Sequence, residues 1–201
     1  MRRTLGTLAI AAGATLLLGA GTQHARAVLA REEARAEWEV VEARRRAEAL
    51  RASVDGIDAA APVPGAPLAR LVVPAIGLDE VVVEGVGERS LRAGPGHLPG
   101  SALPGESGNA VVSAHRDRHF SRLGRVKLGD EIVTTDGRAT HRWVVSELRV
   151  VRAGAPALRA TATPTLTLTT CWPIRWFGPA PDRLIVTAVP RQSVASAEQG
   201  E

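Results

Sequence analysis

Three residues whose types could carry out acyl transfer stand in order along this sequence: His115, Cys171 and Arg183. Cys171 is the only cysteine, so it cannot form an internal disulfide. In a cytosolic protein a lone cysteine reads as a small core hydrophobe; in an exported one it reads as a reactive thiol. It follows the run Thr165-Leu166-Thr167-Leu168-Thr169-Thr170 and precedes Trp172-Pro173, which puts it at a strand exit. A thiol with the ordinary pKa of about 8.5 is mostly protonated at neutral pH. A nucleophilic Cys171 therefore needs a base or cation beside it and donors for an oxyanion. His115, just past the strand-like run 109–114, can hand a proton to a departing amine. Arg183 is always charged and can donate to a developing oxyanion. Taken singly, Cys171 also fits a core position and Arg183 a surface salt bridge.

The remaining histidines, His24, His97, His119 and His141, are expected at surfaces or turns. His115 and His119 have i,i+4 spacing, but HRDRHF lacks the glutamate of H-E-x-x-H and follows a strand pattern rather than a helical one. No metal site and no cofactor are expected.

The elements that must position these residues begin with an export signal. Arg2 and Arg3 precede an uncharged stretch from Thr4 to Thr22, rich in Leu, Ala and Gly. As a helix this stretch reaches about 30 Å, the thickness of a bilayer core. The positive flank predicts a cytoplasmic N-terminus and an extracytoplasmic remainder. Residues 1–27 are read as a retained signal anchor. The alternative is a cleaved signal peptide, with Ala25-Arg26-Ala27 as an A-x-A site. Both readings export the domain.

Residues 28–54 are dense in Glu, Arg and Ala, with Glu42/Arg46 and Glu48/Arg51 at helix-supporting spacings. They predict a helical stalk with a narrow apolar stripe at Trp38 and Val41. Residues 55–67 carry prolines and glycines that make an extended linker. Beyond them the pattern turns to short β-type runs over 69–74, 80–84, 110–114, 131–135, 142–151, 165–170 and 184–189. Asp136-Gly137 marks a hairpin. Single helical turns are expected over 90–92 and 120–123. Closely spaced strands without long intervening helices predict an all-β barrel or sandwich over 68–190. Residues 191–201 form a polar tail.

The net charge is +4 in 201 residues. The basic residues are Arg apart from Lys127 and are interspersed with acids, unlike the clustered patch of a nucleic-acid binder. Nucleic acid is excluded as a partner.

Thr167-Leu168-Thr169-Thr170-Cys171 resembles the T-L-x-T-C signature of sortases. Phe177-Gly178-Pro179-Ala180-Pro181-Asp182-Arg183 resembles the segment that returns the family's catalytic arginine. Gly94-Pro95-Gly96-His97-Leu98-Pro99-Gly100, continuing into Gly108-Asn109-Ala110-Val111-Val112-Ser113-Ala114-His115-Arg116-Asp117, resembles its histidine-bearing segment. The likeness spans roughly residues 68–190 and is greatest to the class D type and the related single sortases of Gram-negative bacteria. It implies an eight-stranded β-barrel with short helical turns, behind a transmembrane helix and a stalk. It implies Cys171 as nucleophile, His115 as general acid/base and Arg183 as the substrate-positioning and oxyanion residue. Departures are Ala114, where glycine commonly precedes the histidine, and the loop Trp172-Pro173-Ile174-Arg175-Trp176, where relatives often carry Tyr or Phe. Calcium activation, known for some members, needs an acidic cluster that this sequence does not display.

The resemblance implies a cysteine transpeptidase anchored in the cytoplasmic membrane by a single pass. Its partners would be a protein with a C-terminal LPxTG-like sorting signal and an amine acceptor, either a cell-wall precursor or a protein lysine. Rivals are a non-catalytic membrane-anchored β-domain and another cysteine acyl-transferase or hydrolase of the envelope. An L,D-transpeptidase would place Gly before the cysteine, where Thr170 stands. A thiol redox protein would be expected to carry C-x-x-C.

Overall fold

The computed structural model describes residues 21–45, 62–154 and 159–191. Residues 1–20 of the expected anchor (1–27), 46–54 of the expected stalk (28–54), 55–61 of the expected linker (55–67) and the tail from 192 lie outside the described residues. Among those described, no helix is long and apolar enough to cross a membrane.

Eight strands close into a barrel: β1 (Pro67–Val73), β2 (Leu78–Glu84), β3 (Gly96–His97), β4 (Asn109–Ser113), β5 (Glu131–Thr135), β6 (Thr140–Arg152), β7 (Thr165–Trp172) and β8 (Asp182–Pro190). The order around the barrel is β1-β2-β3-β4-β7-β8-β6-β5. The β2–β3 and β4–β7 pairs are parallel; the others are antiparallel. Closure leaves no long edge unpaired. Seven strands fall where the β-type runs predict them.

The two-residue β3 has no such signal, because glycine and proline dominate Gly94-Pro95-Gly96. The glycines there serve close approach: a Cβ on Gly94 would overlap the Val81 carbonyl oxygen, and one on Gly96 that of Gly85. The Asp136-Gly137 hairpin joins β5 to β6. Asp136 Oδ1 accepts from the backbone N–H groups of Arg138 and Ala139, each at 2.8 Å, and Gly137 takes a left-handed φ of 84°.

Alternation along each strand sorts residues between the barrel interior and its outer face. Ala110, Val112 and Ala114, then Leu166 and Leu168, then Leu184, Val186 and Ala188 point inward with Leu71, Val73, Ile132 and Val145. Trp143 is 1% exposed. It satisfies its indole N–H by donating to Thr134 Oγ1 at 2.9 Å. The aliphatic strands thus supply nearly all the core, as the low aromatic content of 3% requires.

Helix α1 occupies residues 21–45 as far as they are described. Its narrow apolar stripe faces the barrel, with Ala34 and Trp38 buried. Arg35 donates to the Asp79 carbonyl at 3.2 Å, and Arg45 donates to those of Leu68 at 2.7 Å and Asp136 at 3.0 Å. A short helix α2 (Glu88–Ala93) follows β2. A 3-10 turn at Leu123–Arg125 follows the His115 loop.

Candidate active site

The site is a consequence of two strand registers. Cys171 pairs directly with Arg183 in the antiparallel β7–β8 ladder, so their side chains share a face. On the other side of β7, Ser113 is level with Thr169 in the parallel β4–β7 ladder. That register continues past the strand: Ala114 N–H donates to the Thr169 carbonyl at 3.2 Å, and Thr170 Oγ1 donates to the Ala114 carbonyl at 2.7 Å. Extended one residue further, the same register would set His115 beside Cys171. Ala114, Thr170 and Leu184 are buried. Their neighbours His115, Cys171 and Arg183 therefore lie on the opposite, outward face, in a row across three adjacent segments.

All three are half-buried. Cys171 is a free thiol, and it lies within β7 rather than beyond it. The run predicts a strand stopping at Thr170, but pairing with Arg183 and Asp182 carries it through Trp172. Together a thiol, an imidazole and a guanidinium are the groups that acyl transfer needs: a nucleophile, a proton carrier and a fixed cation for an oxyanion.

The same face of the sheet continues down β4 and β7 but is covered there, with Val111, Thr167 and Ile185 buried. Ser113, Thr169 and Ile185 form the next row, and Val111, Thr167 and Thr187 the one below. Thr167 Oγ1 donates to Asn109 Oδ1 at 2.8 Å. The face ends at a cavity of about 570 Å³ bordered by Ser101, Glu106, Asn109, Val111, Arg159 and Thr161. From His115 to Asn109 the strand covers about 20 Å, at roughly 3.3 Å per residue.

Several residues that shape the site escaped the sequence reading. Glu88 Oε2 of α2 lies 3.4 Å from His115 Nε2, a partner separated by most of a β-hairpin and invisible to any local motif. Arg116 braces the β7–β8 loop by donating to the carbonyls of Trp176 at 3.2 Å and Gly178 at 2.8 Å. Of the histidines expected at surfaces or turns, His97 is buried in β3, and His119 lies in a turn with its side chain turned inward. The His97 ring sits between Glu84 Oε2 at 2.7 Å and the Ala102 carbonyl at 3.0 Å. The His119 side chain is 5% exposed and lies 3.2 Å from Glu80 Oε2. In each case a buried carboxylate on β2 draws the imidazole inward. His24 is exposed and His141 half-buried. Among the described residues no cluster of three or more His, Cys, Asp or Glu could hold a metal ion.

A family model of the sortase domain matches residues 71–191. The chain belongs to the sortase family. Sortase D of Bacillus subtilis (strain 168) is 32% identical over 118 residues, which cover 58% of this chain and 60% of that relative. The chain therefore spans about three fifths of that protein's length. Among solved structures, a Clostridium perfringens sortase D5 transpeptidase superposes with a TM-score of 0.63 at 23% identity, covering 84% of this chain and 99% of its own. Sortase C-1 of Actinomyces oris superposes with a TM-score of 0.58 at 26% identity, covering 76% and 98%. The eight-stranded barrel is the sortase barrel, and the row of His115, Cys171 and Arg183 stands on it at the ends of β4, β7 and β8.

Proposed function

We propose that this sortase is a cysteine transpeptidase, most like class D, that cleaves a C-terminal LPxTG-like sorting signal and passes the acyl group to an amine. The observation that carries the reading is the outward row in which Cys171 has His115 on one side and Arg183 on the other. Cys171 Sγ, as thiolate, attacks the scissile carbonyl carbon, and Arg183 donates to the resulting oxyanion. As the tetrahedral centre collapses, the C–N bond breaks and protonated His115 gives its proton to the departing amine. A thioester on Cys171 remains. The acceptor amine attacks it, His115 takes the amine proton, the new amide forms and the Cys171 thiolate leaves. Water in place of the amine would make the reaction a hydrolysis.

The match to the sortase family supports a sorting-signal peptide as substrate. The apolar stretch Thr4–Thr22 supports a single membrane pass with the barrel on the extracytoplasmic side. The acceptor is then a cell-wall precursor or a protein lysine at the envelope.

The test is incubation with a sorting-signal peptide and an amine, followed by mass spectrometry of the protein and its products. A peptide-sized acyl adduct on Cys171 and an amide product are expected. Cleavage that persists in Cys171→Ala would sink the mechanism.

A further inference from the structure

Glu80 lies in β2 with its side chain only 6% exposed. A buried carboxylate must be paired, and its partners come from opposite directions. Arg31 of helix α1 grips it with both arms of the guanidinium: Nη2 on Oε1, and Nε on Oε2 at 3.1 Å. His119 Nδ1 meets the same Oε2 at 3.2 Å. His119 Nε2 is buried and has no hydrogen-bond partner among the described residues, so Glu80 is what seats this ring.

His119 belongs to the turn that begins at His115. The backbone N–H groups of Arg118 and Phe120 both donate to the His115 carbonyl at 3.3 Å. Phe120 is fully buried in the core. The turn carrying His115 is therefore fixed by Phe120 in the core and by His119 on Glu80.

We propose that Arg31 is a positioning residue for His115, acting through Glu80 and His119, and that docked helix α1 is thereby part of the catalytic apparatus. This rests on the reading of His115 as the general acid/base. The chemistry gives the direction of the effect. Without Arg31, the Glu80 carboxylate keeps one partner, and water reaches it through the space of a side chain that is 41% exposed. Water on Glu80 competes with His119 Nδ1 for the carboxylate oxygen, and the ring has no second hydrogen bond among the described residues to hold it. The turn then loosens at one of its fixed points, and small misplacements of a proton carrier cost rate rather than affinity.

The experiment uses the full chain with Arg31→Met, Arg31→Lys and His115→Asn. It measures peptide transpeptidation, together with the His115 Cε1–H resonance, identified by its loss in His115→Asn. Arg31→Met is expected to lower kcat about 10-fold with KM within about two-fold, and to displace the His115 resonance. Arg31→Lys, which keeps one charged donor, restores most of both. Unchanged kcat in a folded Arg31→Met variant overturns the proposal. So does a lowered kcat with the His115 resonance unmoved, or a loss that Arg31→Lys does not recover. An inactive wild-type protein counts against the transpeptidase reading instead, and the resonance, which needs no substrate, then decides the positioning claim.

Discussion

Cys171 and Arg183 are directly paired across the β7–β8 ladder, so the distance between thiol and guanidinium is set by backbone hydrogen bonds rather than by a flexible loop. Among the described residues the Arg183 guanidinium donates from Nη1 to the carbonyl of its own neighbour, Asp182, at 3.2 Å, and this leaves donors to spare for a substrate oxygen. Arg183→Ala is expected to cut kcat about 10²–10³-fold, the usual loss of an oxyanion donor. Thermal stability should barely change, because the guanidinium anchors nothing else in the barrel. Arg183→Lys should recover only part of the rate, since an ammonium lacks the planar fork. Steady-state kinetics beside a thermal melt would check this, and a large fall in Tm with intact kcat would refute it.

Glu88 reaches His115 from α2 at 3.4 Å, and both side chains are substantially open to solvent. A pair in that setting is weak and easily screened by salt. Glu88→Gln should therefore lower kcat only about 2–5-fold, less than any loss at the row itself. The wild-type rate should drift toward the variant's as ionic strength rises, whereas the variant's rate stays flat. A salt response identical in both proteins would show that the contact plays no part in turnover.

Cys171, His115 and Arg183 were legible in the sequence because each lies at the end of a strong β-type run, and seven of the eight strands carry such runs. That their segments are neighbours was not legible from spacing, since β4 and β7 are parallel neighbours joined by a long excursion. Only the resemblance of the three motifs supplied the contact. β3 was missed because its signal is steric, with glycines chosen for what passes over them. That the rings of His97 and His119 turn inward was not legible, because burial of an imidazole depends on a carboxylate far along the chain, Glu84 and Glu80 respectively. Composition near the histidine carries no trace of that partner.

Asp79, at the start of β2, receives two hydrogen bonds from Arg70, at 2.8 Å from Nε and 2.6 Å from Nη2. These bonds, aided by the charges of Arg70, Arg35 and Arg31 and opposed by partial desolvation, hold its carboxyl below the usual range. A group whose folded pKa is depressed adds stability that is fully present above its unfolded value, about 3.9, and is lost as pH falls through the folded one. Asp79→Asn should therefore be less stable than wild type at neutral pH, by less than about 1 kcal/mol because the pair is half exposed. The gap should close as pH drops below about 4. Urea midpoints measured from pH 7 to pH 3 would test this, and a gap independent of pH would contradict it.

Gly124 lies beneath the residue that follows the nucleophile. A Cβ placed on it would come within 2.9 Å of Trp172 Cζ3 and 3.1 Å of Ile174 Cγ1. Trp172 packs against the barrel core, so its ring cannot yield without pulling on the end of β7. Gly124→Ala therefore overpacks this corner, at a cost of about 1–3 kcal/mol in stability. It should also slow thioester formation, because moving Trp172 displaces the adjacent Cys171 relative to Arg183. A compensating Trp172→Phe change shrinks the ring and should restore both properties in the Gly124→Ala background while doing little for the rate on its own. Single-turnover acylation and thermal melts of the two single variants and the double would check the coupling. Strictly additive effects would mean that Gly124 and Trp172 do not act on each other.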